Sequence, residues 1–92
     1  KDYDDALATL GLVYIDGSMA EKDVEKGINY FQTAAKKGHV DSMFRLGMIY
    51  YQGDLVMKNL KQAHLWFTEA AAKGYKPAKE ILSKEIFQTL RK

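Results

Sequence analysis

Histidine, serine and clustered aspartate are the residues of this chain that could support catalysis or bind a metal ion. The two histidines, His39 and His64, do not form the H-E-x-x-H pattern in which two histidines on one helix face bind zinc. No serine is followed three residues later by the lysine of an S-x-x-K motif, and no glycine-rich phosphate-binding loop occurs. We therefore expect no catalytic residue, no cofactor and no enzyme activity, and we interpret both histidines as surface or half-buried residues.

Acidic residues near the start of the chain are the remaining candidate for metal binding. Asp2, Asp4 and Asp5 could hold a cation, but negative charge also stabilises the N-terminal end of a helix through the helix dipole. We favour the second interpretation and predict no metal site. The absence of cysteine excludes thiolate nucleophiles, disulfides and sulfur-rich metal sites, and it leaves the redox compartment open.

Charge and hydropathy argue against two further classes of function. The 14 basic and 12 acidic residues are interspersed and give a net charge of +2, so we expect no electropositive stripe for nucleic acid. No apolar run approaches the roughly 18 residues that a membrane span needs. The chain begins at Lys1 without a methionine or a signal-peptide pattern. We expect it to be processed or cut from a longer protein, which leaves the localisation open.

The strongest pattern in the sequence is an internal repeat with a period of 36 residues. Fourteen pairs are identical at this offset, among them Leu10 with Leu46, Gly11 with Gly47, Tyr14 with Tyr50, Gly17 with Gly53, Phe31 with Phe67, Ala34 with Ala70, Ala35 with Ala71 and Gly38 with Gly74. A fixed period of about 20 to 50 residues is typical of a solenoid. We assign repeat 1 to about residues 3–38 and repeat 2 to about 39–74, within one domain over 1–92.

Each repeat is predicted to form two antiparallel helices. In repeat 2, apolar residues recur at helical spacing over 41–52, and Gly53 follows as a C-terminal cap. Asn59 is the predicted N-cap of a second helix over 60–73, which Gly74 ends. The pattern therefore predicts a helix–turn–helix unit.

Repeat 1 has the same order of signals, with Asp23 as the N-cap of its second helix. Pro77 is suited to the first turn of a fifth helix, predicted over about 76–90 as a C-terminal capping helix. Gly11 and Gly47 stand at equivalent places inside helices, where glycine costs about 0.5–1 kcal/mol relative to alanine. Their recurrence predicts a close approach between neighbouring helices.

These residues resemble the Sel-one-like repeat, a relative of the tetratricopeptide repeat. The family pattern is approximately A-x-x-x-L-G-x-x-Y-x-x-G, a short loop, and D-x-x-K-A-x-x-W-[FY]-x-K-A-A-x-x-G. The resemblance covers about residues 6–78 in both order and spacing. This chain departs from the pattern with Gly27 and Ser42 in place of alanine, and with Met19 and Leu55 in place of a loop glycine.

The resemblance implies an all-α, right-handed superhelix that serves as an adaptor or scaffold for a protein or peptide partner. In such arrays the first helix of each repeat lines the concave face. By that analogy, a partner-binding groove is predicted from Leu12, Ile15, Phe44, Arg45, Met48, Tyr51 and Phe87. Its apolar members would form one strip, and exposed contiguous apolar patches usually mark interaction sites. Arg45 neighbours the strip and could meet a carboxylate of the partner. We expect Phe44, Met48 and Tyr51 to face solvent in the free domain.

Several alternatives remain open at this point. The apolar strip could be covered by the terminal helix folded inward or by a further segment of chain. The domain could instead associate with itself through the groove or its open repeat ends, or serve as a structural segment of a longer solenoid. The loop residues Met19, Leu55, Val56 and Met57 form a weaker candidate surface, for which packing under the next repeat is the favoured interpretation.

Overall fold

Five α-helices and no strand make up the part of the chain described by the computed structural model, residues 2–17 and 22–84, with side chains described from Ala6 onwards. The helices are α1 (Asp2–Asp16), α2 (Val24–Lys36), α3 (Val40–Gln52), α4 (Leu60–Ala72) and α5 (Lys76–Leu82). Each packs chiefly on the helix before it and the helix after it. Packing chiefly between consecutive helices is the arrangement of a solenoid, whereas an independent bundle would pack distant helices together.

The cap residues predicted from the sequence start the second helix of each repeat. Asp23 accepts a hydrogen bond from the Lys26 N–H at 3.1 Å, and Asn59 accepts one from the Gln62 N–H at 3.1 Å. The backbone N–H of each cap residue donates to the carbonyl of the repeat-equivalent tyrosine in the preceding helix, at 2.9 Å for Tyr14 and 3.0 Å for Tyr50. The same hydrogen bonds therefore hold the end of the inter-helix loop in both repeats.

The helix ends follow the predictions except at the C-terminus. Gly53 takes the left-handed conformation after α3 with φ 71°, and Gly74 follows α4 with φ 89°. Helix α5 ends at Leu82, short of the predicted end near Leu90, and the Ser83 hydroxyl donates to the Glu80 carbonyl at 2.7 Å. A hydroxyl that bonds the preceding turn competes with continued helix formation. Residues 85–92 lie outside the described part of the chain.

The core lies where paired helices approach each other. Leu46, Phe31 and Phe67 are essentially inaccessible, and Ala34 and Ala70 are fully buried beside them. Neighbouring rings occupy the space that a side chain would need at these helical glycines. A Cβ on Gly47 would lie 2.5 Å from the Phe67 ring. The predicted close approach at the repeat glycines is therefore present.

Candidate binding groove

An open cavity of about 330 Å³ lies between α1 and α3. Its lining residues are Leu12, Ile15, Phe31, Asp41, Phe44, Arg45, Met48, Ile49, Gln52 and Tyr75. Five of the seven residues predicted from the sequence are thus brought together around one concave surface. We call this cavity the α1–α3 groove.

The walls of the α1–α3 groove are apolar and partly accessible. Leu12 is 38% exposed, while Ile15 and Met48 are half-buried. Phe31 and Ile49 are buried beneath them and close the floor. A partner side chain that entered the groove would remove apolar surface from water on both walls, at a gain of about 25 cal/mol per Å².

Polar residues along α3 give the groove a direction. Arg45 donates from Nε to Oδ2 of Asp41 at 2.8 Å, and both side chains remain partly exposed. Gln52 is exposed farther along the helix. Because α-helices rise about 1.5 Å per residue, Asp41 and Gln52 are about 16 Å apart along the axis. This length matches about five residues of an extended peptide.

Phe44 differs from the sequence-based expectation. It lines the groove, but its ring also packs against Phe67 at 5.4 Å and Tyr75 at 5.1 Å between centroids. The side chain is half-buried and not solvent-facing as predicted. The expectation was wrong because the ring of Phe67 on α4 occupies the space beside Gly47 and contacts Phe44 there.

Tyr51 does not line the groove. Its ring lies edge-on to Phe67 at 6.1 Å between centroids, and the side chain is half-buried, so the prediction of a solvent-facing residue was wrong here too. The repeat explains its position: Tyr51 is equivalent to Ile15, which lines the space beside the following repeat. Phe87, the last predicted groove residue, lies outside the described residues.

Five lining residues lie outside the seven predicted, and two of them, Asp41 and Gln52, are polar residues of α3. Of the other three, Phe31 was noted only as a repeat match and Ile49 was not singled out, yet both are buried and form the groove floor. Tyr75 closes one end of the groove from the loop before α5, where it is the N-cap residue. A residue outside a helix has no helical periodicity to reveal it.

The loop after α3 forms a second concave surface. Leu55 and Val56 are half-buried against the core and line a cavity of about 620 Å³ with α2 residues such as Val24 and Ile28. Met57 also lines this cavity, but its side chain is 89% exposed. The favoured interpretation, packing under the next repeat, was therefore wrong, because the pair lies against α2 of the preceding repeat. Met19 lies outside the described residues.

The histidine nearest the groove has a structural role. His39 is the N-cap of α3, and its Nδ1 accepts hydrogen bonds from the Ser42 N–H at 3.3 Å and from the Ser42 hydroxyl at 2.7 Å. Among the side chains of residues 6–17 and 22–84, no three histidine or acidic groups cluster as metal ligands would. The side chains of Asp2, Asp4 and Asp5, the candidate cation ligands, lie outside the described ones. No helix in the described part of the chain is long and apolar enough to cross a membrane.

Stacked helix pairs with repeat-equivalent caps, glycines and core rings define an α-helical repeat protein. A family model described as Sel1 repeat matches residues 4–39 and again residues 40–75, so the chain belongs to the Sel1 repeat family. Sel1 repeats are generally protein-interaction modules. A comparison with curated protein sequences finds no match.

Two solved structures show the same fold. One is a protective antigen present in uropathogenic Escherichia coli strains and displaying an SLR fold, with 32% identity and a TM-score of 0.80. The other is a Sel1 repeat protein from Oxalobacter formigenes, with 28% identity and a TM-score of 0.79. Each alignment covers 86% of this chain, but only 17% and 32%, respectively, of those longer chains. This chain thus corresponds to a part of either protein's length.

Proposed function

We propose that this domain is a non-enzymatic interaction module that binds a peptide segment of a partner protein in the α1–α3 groove. The observation that carries the proposal is the 330 Å³ groove itself, with Leu12 and Met48 on opposite walls over a closed apolar floor. Concave sites with apolar walls and a few polar groups are typical of ligand recognition. The family assignment supports the class of function, and the groove supports the place.

The partner segment is expected to carry a large apolar side chain flanked by a polar or charged residue. The apolar side chain would occupy the space between Leu12 and Met48. The flanking residue would meet Arg45 and Asp41, whose ion pair lies at the rim. Because that pair is internally compensated, it adds little net charge, and we expect it to orient the peptide more than to attract it.

A peptide-display selection against the intact domain tests this proposal. Selected peptides are then measured against Leu12→Glu and against Leu65→Glu as a matched control, because Leu65 is 49% exposed on α4 and does not line the groove. A charge in the apolar wall should weaken binding at least about tenfold, which is about 1.4 kcal/mol. The control should bind as the unaltered domain does.

Two results would contradict the proposal. Equal binding of both variants would place the peptide elsewhere on the domain. A dimer that dissociates on dilution, and that Leu12→Glu abolishes, would show that the groove serves self-association instead. Light scattering over a dilution series distinguishes this second result from peptide binding.

A further inference from the structure

A second open cavity, of about 340 Å³, is lined by residues from the end of α2, the loop that follows it, α3 and α4. It shares no lining residue with the α1–α3 groove. Its buried lining is apolar, because Ala35 and Met43 are only 3% and 4% exposed. Leu65, which is 49% exposed, adds an accessible apolar side chain, and Trp66 lines the same space. We call it the Trp66 cavity.

Trp66 is placed differently from its equivalent in repeat 1, Tyr30. The Tyr30 ring stacks on Tyr14 with 5.7 Å between the ring centroids and an interplanar angle of 10°. The corresponding pair in repeat 2, Trp66 and Tyr50, forms no such stack, and no other described aromatic ring pairs with Trp66. Trp66 instead packs against the core and lines the Trp66 cavity.

The indole Nε1 of Trp66 is a hydrogen-bond donor without an acceptor. The atom is buried from solvent, and no residue in the described part of the chain accepts a hydrogen bond from it. Almost all buried N–H groups in folded proteins have a partner, because a donor that has lost its water is otherwise left uncompensated. An indole N–H can only donate. A ligand that complements it must therefore carry an acceptor atom.

The charged residues of the Trp66 cavity favour an acidic ligand. Lys36 and Lys73 line it together with Glu69, so two positive charges stand against one negative charge. All three side chains are exposed, and none forms an ion pair with another described residue. The Lys73 ammonium lies 3.9 Å from the point that a Cβ on Gly38 would occupy, so its charge reaches from α4 to the loop after α2. Ammonium groups form stronger hydrogen bonds with a carboxylate than with a neutral acceptor.

From these observations we propose that the Trp66 cavity binds a monocarboxylate with an apolar body. Its carboxylate accepts hydrogen bonds from the Trp66 indole and from the Lys36 and Lys73 ammonium groups. Its apolar body lies against Leu65 and Met43. Because Nε1 is shielded from solvent, a lining side chain must move when the carboxylate arrives, and the exposed lysine and leucine side chains have the freedom to do so. This site is separate from the α1–α3 groove and does not depend on the proposed function.

The chemistry of this ligand is found in free organic acids and in the C-terminal residue of a polypeptide, and one titration distinguishes the two sources. Trp66 is the only tryptophan, so its indole N–H gives a single signal in a nitrogen–proton correlation spectrum of the full chain. The chain is titrated with isocaproate, a free acid, and with N-acetyl-leucine, which mimics the C-terminal residue of a polypeptide. The uncharged amides of both probes are the controls, at the same ionic strength.

A carboxylate that accepts the indole N–H should shift this signal until the site is saturated. The amides have the same size but no charge, and they should bind at least about tenfold more weakly. Binding of N-acetyl-leucine alone would identify the end of a polypeptide as the source of the ligand. Comparable binding of isocaproate would show that a free acid is sufficient.

A pair of double variants tests the lysines. Lys36→Gln with Lys73→Gln removes both charges from the Trp66 cavity and should weaken binding of the acids at least about tenfold. Lys58→Gln with Lys61→Gln is the matched control, because it removes the same charge from two exposed lysines that do not line the cavity. The control should bind the acids as the unaltered chain does.

Trp66→Phe tests the indole N–H itself. Binding to this variant is followed through the backbone N–H signal of Leu65, and it should be weaker than binding to the unaltered chain, because the ring is kept but the donor is lost.

Three outcomes would overturn the proposal. The first is an indole signal that neither acid shifts up to the limit of its solubility. The second is equal binding of the acids and their amides, which would show that the cavity accepts apolar groups without regard to charge. The third is unchanged affinity for the acids in the Lys36/Lys73 double variant or in Trp66→Phe, which would place the carboxylate elsewhere.

Discussion

Gly11 and Gly27 meet backbone to backbone where α1 packs on α2. A Cβ on Gly27 would lie 2.8 Å from the Gly11 carbonyl oxygen, and a Cβ on Gly11 would lie 3.0 Å from the Gly27 carbonyl oxygen. Repeat 2 has Ala63 at the position equivalent to Gly27, and Ala63 is fully buried. The departure from the family pattern at Gly27 therefore corresponds to a closer helix approach in repeat 1.

Gly27→Ala is expected to destabilise the fold, because overpacking alone costs about 1–3 kcal/mol in other cores. The new methyl group would meet the Gly11 backbone and the Ile15 side chain, and α1 would have to move. This cost should exceed the gain in helix propensity, which is about 1 kcal/mol for alanine over glycine. Urea denaturation followed by circular dichroism measures the difference.

The same experiment on Ala63→Gly separates packing from propensity. Loss of a buried methyl group and of helix propensity should destabilise repeat 2 by about 1–2 kcal/mol. If Gly27→Ala proves as stable as the unaltered chain or more so, the α1–α2 contact is looser than the two glycines indicate.

Phe44 is expected to contribute to stability as well as to the groove wall. Its ring packs on Phe67 and Tyr75, so Phe44→Ala should cost about 1–3 kcal/mol. A fully buried phenylalanine such as Phe67 should cost more, about 3–5 kcal/mol. Met57→Ala, at an exposed residue, should change stability by less than about 0.5 kcal/mol. Thermal unfolding of the three variants checks this order, and equal midpoints for Phe44→Ala and Met57→Ala would contradict it.

The helix boundaries of this fold could mostly be predicted from local sequence signals. Asp23, Asn59, Gly53 and Gly74 act where the sequence places them, because caps and left-handed turns depend on a few neighbouring residues. The end of α5 at Leu82 was not predicted. A serine can stand inside a helix, or its hydroxyl can bond the last turn, as Ser83 does with the Glu80 carbonyl.

The groove was predictable to the extent that it follows helix periodicity. Leu12 and Met48 are repeat equivalents, and both line the α1–α3 groove as predicted from the analogy with related arrays. Tyr51 was assigned to the wrong environment because spacing gives the helix face but not the reach of a ring from the neighbouring helix. Tyr75 was missed because it lies in a loop. Tertiary packing decides both cases, and periodicity does not describe it.

Arg45 provides a variant in which stability and binding should separate. Its ion pair with Asp41 is partly exposed, and pairs of this kind on a helix contribute about 0.3–0.5 kcal/mol. Arg45→Ala should therefore leave the unfolding midpoint nearly unchanged. If the groove binds a peptide as proposed, the same variant should change the affinity of peptides with a charged residue beside their apolar anchor. Isothermal calorimetry measures the affinities of matched charged and uncharged peptides for the unaltered domain and for Arg45→Ala. Equal affinities of the charged peptide for the two proteins would exclude Arg45 from the contact.

His39 and Ser42 contact each other at the start of α3, so their contributions to stability should be coupled. The Nδ1 atom of His39 accepts both the N–H and the hydroxyl of Ser42, and Ser42 is fully buried. His39→Ala removes the N-cap of α3, at a cost of about 1–2 kcal/mol. It also leaves the buried hydroxyl without its acceptor, and an unsatisfied buried group of this kind costs about 1–3 kcal/mol.

Adding Ser42→Ala to His39→Ala should therefore restore part of the lost stability, because it removes the hydroxyl that has lost its partner. In the unaltered background, Ser42→Ala should instead be neutral or destabilising, since the hydrogen bond to His39 is then lost. The sign change defines a coupling between the two positions, which a double-mutant cycle measures from four unfolding curves. Additive effects, with the double variant as unstable as the sum of the two single ones, would show that the hydroxyl does not depend on the imidazole.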